Sequence, residues 1–328
     1  MTARSRSRPF GDRVGPIAAL ATVLDRPSAP AVAPAPRRAL TAEVAHDPGR
    51  VLRDYVLAPY PPRAEVADGL AAHNLLYESF AVAEVEAAGV AVVERLRAQL
   101  GPGNLVWGIK HADGALTWEL YVYDPGQGRP EAALPTVAAA VADHLRLPPR
   151  PARLPPHHLW SLELDAAGLA AGVARRLTVY IQGDHGPGAS RSYTVSDGSL
   201  ELANLYTFHD PRREPDAIRA RLTASVHLGA PARGLAAVVA PGLFACRRLC
   251  VANKRRADGL YFAGVDTDET VRFAVEHGWP APLVAYLDTR RRRLAHLGWD
   301  LGLDFTAGDG ALPSLEPTIT RTAIHASC

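Results

Sequence analysis

The sequence predicts an α+β protein in which ten antiparallel strands, arranged as ββα repeats, close into a barrel with helices outside. Beyond Gly101, short segments rich in Val, Leu, Tyr, Trp and Phe come in pairs, with helical segments between several pairs. Each predicted strand has one apolar and one polar face, and the polar faces carry many tyrosines. An open antiparallel sheet covered by helices on one side is the alternative.

The composition is that of an ordinary globular protein. The chain has 328 residues, of which 48% are hydrophobic, and its 36 basic and 34 acidic side chains leave a net charge of +2. This near-neutral charge disfavours a nucleic-acid binder, and no apolar run reaches the roughly 18 to 20 residues of a membrane-spanning helix. The odd number of cysteines (Cys246, Cys250 and Cys328) is typical of a reducing compartment, so we expect a cytoplasmic protein.

The sequence predicts a disordered segment followed by a folded domain. Residues 1–46 form a predicted disordered leader, because its Arg, Pro and Ala content cannot bury a core. A signal peptide is disfavoured there, since the apolar stretch 14–24 is short and contains Pro16. Residues 47–328 form one predicted domain, which is helical over 47–100 and built from ββα repeats over 101–326.

The helical part begins at Asp47, a suitable N-cap, and breaks at the prolines of residues 59–62. A long amphipathic stretch follows over residues 64–100, with an interruption near Gly89. Further helices are predicted over residues 135–145 and 214–227, and two more over residues 268–297, separated near Gly278. These helices need an apolar surface on which to bury their own apolar stripes.

The ten strands are predicted where apolar and polar residues alternate, at residues 105–111, 117–124, 158–165, 175–182, 191–195, 200–209, 243–254, 260–266, 299–306 and 317–324. The first two form a hairpin that turns at Ala112-Asp113-Gly114. In residues 175–182, for example, Leu177 and Val179 share one face, whereas Arg176 and Tyr180 share the other. If the sheet closes, the polar faces surround a lumen.

The chain contains only two lysines, Lys110 and Lys254, among 36 basic residues. Chance retention explains them if arginine simply replaces lysine throughout the chain. Alternatively, a compact ammonium group is needed at these positions, because lysine acts as a point charge on phosphate whereas arginine acts as a planar fork.

A resemblance to a known family arises from one passage. Asn253-Lys254-Arg255-Arg256, followed by Leu260-Tyr261-Phe262 and an amphipathic helical segment, is similar to a passage of the soluble aromatic prenyltransferases of the ABBA type. The motif covers residues 250–298, and the strand count extends the resemblance loosely over 101–324. The resemblance implies a ten-stranded barrel that transfers an isoprenoid from an allylic diphosphate to an aromatic acceptor, so both partners are small molecules.

Such a reaction requires several converging cations, because the leaving diphosphate carries about three negative charges. Four cations on different predicted strands are the candidates: Lys110, Arg176, Lys254 and Arg321. Solvated strand-end positions are the structural alternative for all four.

A developing allyl cation requires aromatic faces and exclusion of water. Four strand tyrosines can supply the faces: Tyr121, Tyr180, Tyr206 and Tyr261. The acceptor must also lose a proton, for which Glu119, on the same strand face as Tyr121, is the predicted catalytic carboxylate. The alternatives are half-buried packing tyrosines and a Glu119 that pairs with an arginine on the neighbouring strand.

No cofactor is expected to be required, and no metal site is predicted, because neither an Asp-rich motif nor metal-ligand spacing of histidines occurs. Magnesium could accompany the diphosphate. Two other functions remain open at this point. One is a non-catalytic binding protein with a polar-aromatic cavity, and the other is a phosphate-handling enzyme on an open sheet. The oligomeric state is not predicted.

Overall fold

A computed structural model describes residues 42–124, 128–151, 153–182, 189–196, 199–225, 227, 239–308 and 314–328. Ten strands form a closed antiparallel barrel in the order β10-β11-β12-β3-β4-β5-β6-β7-β8-β9, with β9 paired to β10. The predicted α+β barrel is therefore confirmed, and the open sheet does not apply.

The barrel strands are β3 Leu105–Ala112, β4 Ala115–Tyr123, β5 Leu159–Asp165, β6 Arg176–Gln182, β7 Ala189–Ser196, β8 Ser199–His209, β9 Arg248–Lys254, β10 Asp258–Val265, β11 Trp299–Gly308 and β12 Ser314–Ser327. The described helices are α1 His73–Val82, α2 Glu86–Leu100, α3 Leu134–Val141, α4 Ala166–Ala171, α5 Pro215–Thr223, α6 Thr267–Glu276, α7 Ala281–Thr289 and α8 Arg291–Leu294. Two short strands, β1 Leu52–Arg53 and β2 Pro59–Tyr60, form a separate hairpin.

The predicted β3–β4 hairpin is confirmed. Asp113 and Gly114 both have positive φ, at 50° and 75°, and Ala112 pairs with Ala115 across the turn. A two-residue turn of this kind matches the twist of the strands that it joins, and Asp-Gly adopts it readily.

The prediction of helix from Asp47 onwards is wrong for residues 47–72. The β1–β2 hairpin lies there instead, and the side chain of Asp54 accepts hydrogen bonds from the backbone N–H groups of Val56 and Ala58 in its turn. The prolines of residues 59–62 lack the N–H groups that a helix would use, which also favours this irregular conformation.

The helical interruption lies at residues 83–85, where Glu84 has a φ of 61°, and not near Gly89 as predicted. Gly89 lies inside α2, and its lack of a side chain makes room for the ring of Phe80, which lies 2.5 Å from the position that a Cβ would take. Sequence analysis also missed α4, which Asp165 caps by accepting from the N–H of Gly168. Residues 241–245 form a 3₁₀ turn, so β9 begins at Arg248 and not at residue 243 as predicted.

The main core lies between the outer face of the barrel and the helices. Trp118, Trp160 and Trp299 are almost completely buried there. Their indole N–H groups donate to Ser79 Oγ, the carbonyl oxygen of Ala132 and Thr267 Oγ1. The apolar strand faces therefore point outward under the helices, as the alternation predicts, and the polar faces point inward.

Residues 1–41 of the predicted leader lie outside the described residues. Its last residues contact the folded domain, since the Val44 N–H donates to Asn74 Oδ1 at 2.8 Å and Glu43 pairs with Arg290. Within the described parts of the chain, no helix has the length and apolar character needed to span a membrane.

Candidate active site in the barrel lumen

The lumen holds a cavity of about 1090 Å³, and every strand of the barrel contributes at least one lining residue. At one end the lining includes the half-exposed side chains of Arg176 and Arg321. At the other end lie residues 55–57, from the turn of the β1–β2 hairpin. The cavity is therefore a pocket whose polar mouth and opposite end are formed by different parts of the chain.

Five aromatic rings form a closed circuit inside the lumen, which we call the aromatic belt: Tyr121, Tyr180, Tyr206, Tyr261 and His325. Neighbouring ring centroids around the belt lie 6.0 to 6.5 Å apart. The five rings come from β4, β6, β8, β10 and β12, which are alternate strands of the barrel.

The strands between them carry small residues at the same level. The residues paired directly with the belt are Ser161, Ser192, Ala252, Gly302 and Gly108, in the order of the belt from Tyr121 to His325. Gly108 is required, because a Cβ there would lie 2.3 Å from Cδ2 of His325. This alternation of large and small residues lets five rings share one lumen.

A layer of charged side chains lies next to the belt on the side of the mouth. We call it the charged layer: Lys110, Glu119, Glu163, Arg176, Lys254, Asp304 and Arg321. Lys110, Glu119 and Lys254 each lie two residues along their strands from a belt residue or its small partner. The two lysines of the chain are thus both in the lumen.

Lys110 holds together two carboxylates that face each other across β4 and β5. Its Nζ lies 2.5 Å from Glu119 Oε2 and 3.8 Å from Glu163 Oε2, and Glu119 and Glu163 are direct cross-strand partners. Like charges at such positions repel, so the ammonium group offsets a repulsion that would otherwise destabilise the sheet. Arg176 adds a second cation, 3.4 Å from Glu163.

Lys254 occupies the opposite part of the layer. Its Nζ lies 2.5 Å from Asp304 Oδ1 and donates to the hydroxyl of Tyr261 at 2.9 Å. Gly259 leaves the necessary space, since a Cβ there would lie 2.7 Å from Asp304 Oδ1. Arg321 approaches the other carboxylate oxygen at 3.9 Å, and both cations hold the pKa of Asp304 below its usual value despite burial.

Glu119 accepts hydrogen bonds from four side chains. Besides the Lys110 ion pair, it accepts from Ser161 at 2.5 Å, Tyr121 at 2.8 Å and Tyr180 at 3.1 Å. Burial raises the pKa of Glu119, but Lys110 and these hydroxyl donors outweigh burial and lower the pKa to about 2. The carboxylate is therefore ionised, and about four donors saturate its lone pairs.

Two acidic residues, Asp54 and Asp300, bind the hairpin turn that forms the end of the cavity opposite the mouth. Asp300, which is 1% exposed, accepts from the N–H of Tyr55 at 2.7 Å and from the N–H of Gly264 at 2.8 Å. Burial and the nearby charge of Asp54 raise the pKa of Asp300. Asp54 in turn pairs with Arg247 at 3.0 Å, so this end is fastened to the barrel by a charged network.

All nine residues singled out from the sequence line this one cavity, and their roles stay predictions: Glu119, Lys110, Arg176, Lys254, Arg321, Tyr121, Tyr180, Tyr206 and Tyr261. The structural alternative for Glu119 holds in part, because it forms an ion pair with the neighbouring strand, although its partner is Lys110 and not an arginine. The two lysines are not solvated, with side-chain exposures of 12% and 14%, whereas Arg176 and Arg321 are about half exposed.

The lumen residues that sequence analysis missed as site candidates include Tyr55, Glu163, Asp304 and His325. Alternation along residues 299–306 places Asp304 on the polar face of β11. His325 was overlooked because the predicted last strand ends at residue 324, whereas β12 runs to Ser327. Extending the alternation from Arg321 by four residues would have included it.

This arrangement can hold an anion on its cations and an apolar or cationic group within its aromatic belt. Among the described residues, no group of three or more His, Cys, Asp or Glu side chains is arranged to hold a metal ion. Comparison of the sequence with models of known protein families finds no match, and a search of curated proteins also finds none. The function is therefore inferred from the geometry of the lumen.

Proposed function

We propose that the protein transfers an isoprenoid chain from an allylic diphosphate to an aromatic acceptor inside the barrel. The observation that carries this proposal is the position of the aromatic belt directly beside the charged layer in the lumen of the closed barrel. A diphosphate on the cations of the layer would place its allylic carbon among the rings. Each ring can stabilise a nearby cation by about 0.5 to 2 kcal/mol.

The reaction transfers one group. The bond between the allylic carbon and the diphosphate oxygen breaks, and its electron pair leaves with the diphosphate. A π electron pair of the acceptor ring forms the new carbon–carbon bond, and the substituted ring carbon then loses its proton. The lumen would favour these steps by pairing the leaving charge with Lys110 and Lys254 and by keeping water from the allylic cation.

The charges in the layer also bear on magnesium. Four cations face three carboxylates, so the layer has one net positive charge against about three negative charges on the diphosphate. We therefore expect magnesium to strengthen binding as a counter-ion of the diphosphate, with no dedicated site on the protein.

A second candidate is a non-catalytic protein that binds small molecules in the same cavity. One observation favours it: both lysines already have carboxylate partners at 2.5 Å, so an incoming anion must compete with Glu119 and Asp304. A lysine of an enzyme can also exchange a carboxylate partner for the substrate anion. Binding alone therefore does not distinguish the two functions.

The test is calorimetric titration with dimethylallyl, geranyl and farnesyl diphosphates, with and without magnesium. We expect at least one to bind, and Lys254→Met to weaken binding by at least about tenfold, or ~1.4 kcal/mol. The double variant Lys254→Met/Asp304→Asn removes one charge of each sign and controls for an unpaired Asp304. Arg212→Met, at an exposed position outside the cavity, should bind as the wild type does.

Product formation separates the two candidates. Wild-type protein with a bound diphosphate is incubated with phenols and indoles, and mass spectrometry should detect an acceptor that has gained one isoprenyl unit. Binding without any transfer would support the binding protein, and failure of all three diphosphates to bind would refute both the transferase and its proposed ligand.

We also propose that the protein acts in the cytoplasm. Its three cysteines are free and buried, an arrangement that suits a reducing compartment. Localisation of a tagged chain in the source cell tests this.

A further inference from the structure

We propose that His325, which closes the aromatic belt, accepts the proton that the aromatic acceptor loses after the new carbon–carbon bond has formed. This inference rests on the proposed transferase function and assigns a residue to its last step.

The position of His325 suits this role. Its ring lines the cavity between Tyr121 and Tyr261, at centroid distances of 6.0 Å from each. Gly108 lies directly opposite on β3, and the absence of a side chain there allows the imidazole to lie against the strand. The base is thus held at the level where the tyrosines would surround the allylic carbon and the attacking ring.

The hydrogen bonding of His325 selects one tautomer. Nδ1 lies 3.3 Å from the carbonyl oxygen of Asp300, and a carbonyl oxygen can only accept a hydrogen bond. Nδ1 therefore carries the hydrogen, and Nε2 keeps its lone pair. Nε2 lies against the glycine of β3, 2.6 Å from the position that a Cβ of Gly108 would take, and among the described residues none donates a hydrogen bond to it, so no protein donor competes for its lone pair.

The surroundings keep the imidazole neutral at neutral pH. Burial and Lys110 of β3 lower the pKa of His325 to about 4, against smaller opposing effects of Glu119, Asp304 and the Asp300 backbone. The titratable groups around it are Lys110 from β3, Glu119 and Tyr121 from β4, Tyr261 from β10, and Asp300 and Asp304 from β11. A ring-protonated intermediate is a strong acid, so even a weakly basic imidazole can deprotonate it.

Glu119 is less suited to accept this proton. Its oxygens already accept from Lys110, Ser161 and two tyrosines, and protonation would break the ion pair with Lys110. We assign Glu119 a positioning role, in which it orients Lys110 and the hydroxyls of Tyr121 and Tyr180.

The step balances without a co-reactant. The proton moves from the substituted ring carbon to Nε2 of His325, and the electrons of the broken C–H bond restore the aromatic ring. His325 becomes an imidazolium, whose charge the released diphosphate offsets until the proton passes to solvent or leaves with the product.

The test compares two variants of His325 with one of Glu119. His325→Phe keeps an aromatic ring in the belt and removes the base, and His325→Gln keeps a polar group without basicity. At saturating diphosphate, we expect single-turnover product formation to fall by about 10² to 10⁴-fold in both variants. A circular dichroism spectrum like that of the wild type excludes a loss of fold as the cause.

The sharper measurement is the isotope effect of an acceptor deuterated at the reacting carbon. In wild type we expect no primary effect, because proton loss is fast, whereas in both His325 variants it becomes rate-limiting and a primary effect emerges. A His325→Phe protein with wild-type rate and no isotope effect would overturn the proposal. A primary effect in Glu119→Gln alone would assign the proton to Glu119.

One arm does not depend on turnover. In wild-type protein with ¹⁵N-labelled histidine, we expect His325 to be neutral at pH 7 with hydrogen on Nδ1, and inorganic pyrophosphate to raise its pKa by offsetting Lys110. A protonated Nε2 at pH 7 would refute the inference even if no acceptor were found. Absence of diphosphate binding in the wild type would instead refute the proposed function.

Discussion

At the scale of single residues, the charged layer depends on buried ion pairs, in which each charge offsets the free-energy cost of burying the other. Lys110 and Glu119 are 12% and 8% exposed, so neither charge can be solvated by bulk water. Removing one partner of such a pair is costly because the remaining charge stays buried. Lys110 has a further effect, since Glu119 also faces Glu163.

We predict that Lys110→Met lowers the free energy of unfolding at pH 7 by about 3 to 5 kcal/mol, because Glu119 is left ionised without its ammonium partner. The double variant Lys110→Met/Glu119→Gln should regain most of this loss. The pKa of Glu119 is lowered in the native protein, so its ionised form stabilises the fold above pH 4.5. Without Lys110 the sign of this contribution reverses, so the stability deficit of the single variant relative to wild type should shrink as the pH falls from 7 to 5. Urea denaturation at both pH values checks this, and an unchanged midpoint for Lys110→Met would contradict it.

At the scale of elements, the β1–β2 hairpin is a short structure that depends on the barrel for its stability. Two residue pairs join its strands, and its turn is held by Asp54, which is 2% exposed. The carboxylate accepts from the N–H groups of Val56 and Ala58 and pairs with Arg247. The backbone of Tyr55 is fastened on both sides, since its N–H donates to Asp300 and its carbonyl oxygen accepts from Tyr123.

We predict that Asp54→Ala lowers the free energy of unfolding by about 2 kcal/mol, because the N–H groups of the turn lose their acceptor. Hydrogen exchange, followed by mass spectrometry of the peptide 51–60, should show faster exchange of this turn, because the N–H groups of Val56 and Ala58 lose their acceptor. Val51→Ala is the matched control in the same hairpin, since Val51 is 55% exposed and should change stability by less than about 0.5 kcal/mol. Unchanged exchange in Asp54→Ala would show that the end of the cavity is held by other contacts.

At the scale of the whole molecule, several neutral histidines make the fold sensitive to acid. Burial lowers the pKa of His325, His296 and His277 to about 4 and that of His73 to about 3. The unfolded chain, with histidines near 6.5, binds more protons than the native state between pH 6.5 and 4. Stability is therefore complete above pH 6.5 and is lost as the pH falls through this window.

We predict that the free energy of unfolding declines from pH 7 to pH 4.5, and that His325 alone accounts for about 3 kcal/mol of the full effect by pH 4. Glu119 and Asp304 add to this loss of stability only below about pH 4.5, because their pKa values are lowered in the native protein. Asp300, whose pKa is raised, instead favours the native state as the pH falls. Comparison with His325→Phe, which cannot titrate, isolates the histidine and should show a shallower decline. Parallel pH profiles would contradict the assignment.

The sequence alone determined the strands, their two faces and the inward set of polar side chains. Alternation has a period of two, so a residue such as Tyr180 or Lys254 can be assigned to a face without coordinates. Leu-Tyr recurs in β4, β8 and β10, and each of these tyrosines lies in the belt. Residues 47–72 could not be predicted in this way, because contacts with the distant Asp300 and Arg247 stabilise their irregular conformation.

Only the tertiary structure decided how the inward residues meet. Closure of the barrel sets β12 beside β3 and brings His325 against Gly108, two residues more than 200 positions apart in the chain. Closure also pairs Lys254 with Asp304 and surrounds Glu119 with four donors. Face assignment is local, whereas register between strands and closure of the sheet depend on packing over the whole molecule. The ion pairs of the charged layer and the position of His325 in the lumen therefore depend on that packing.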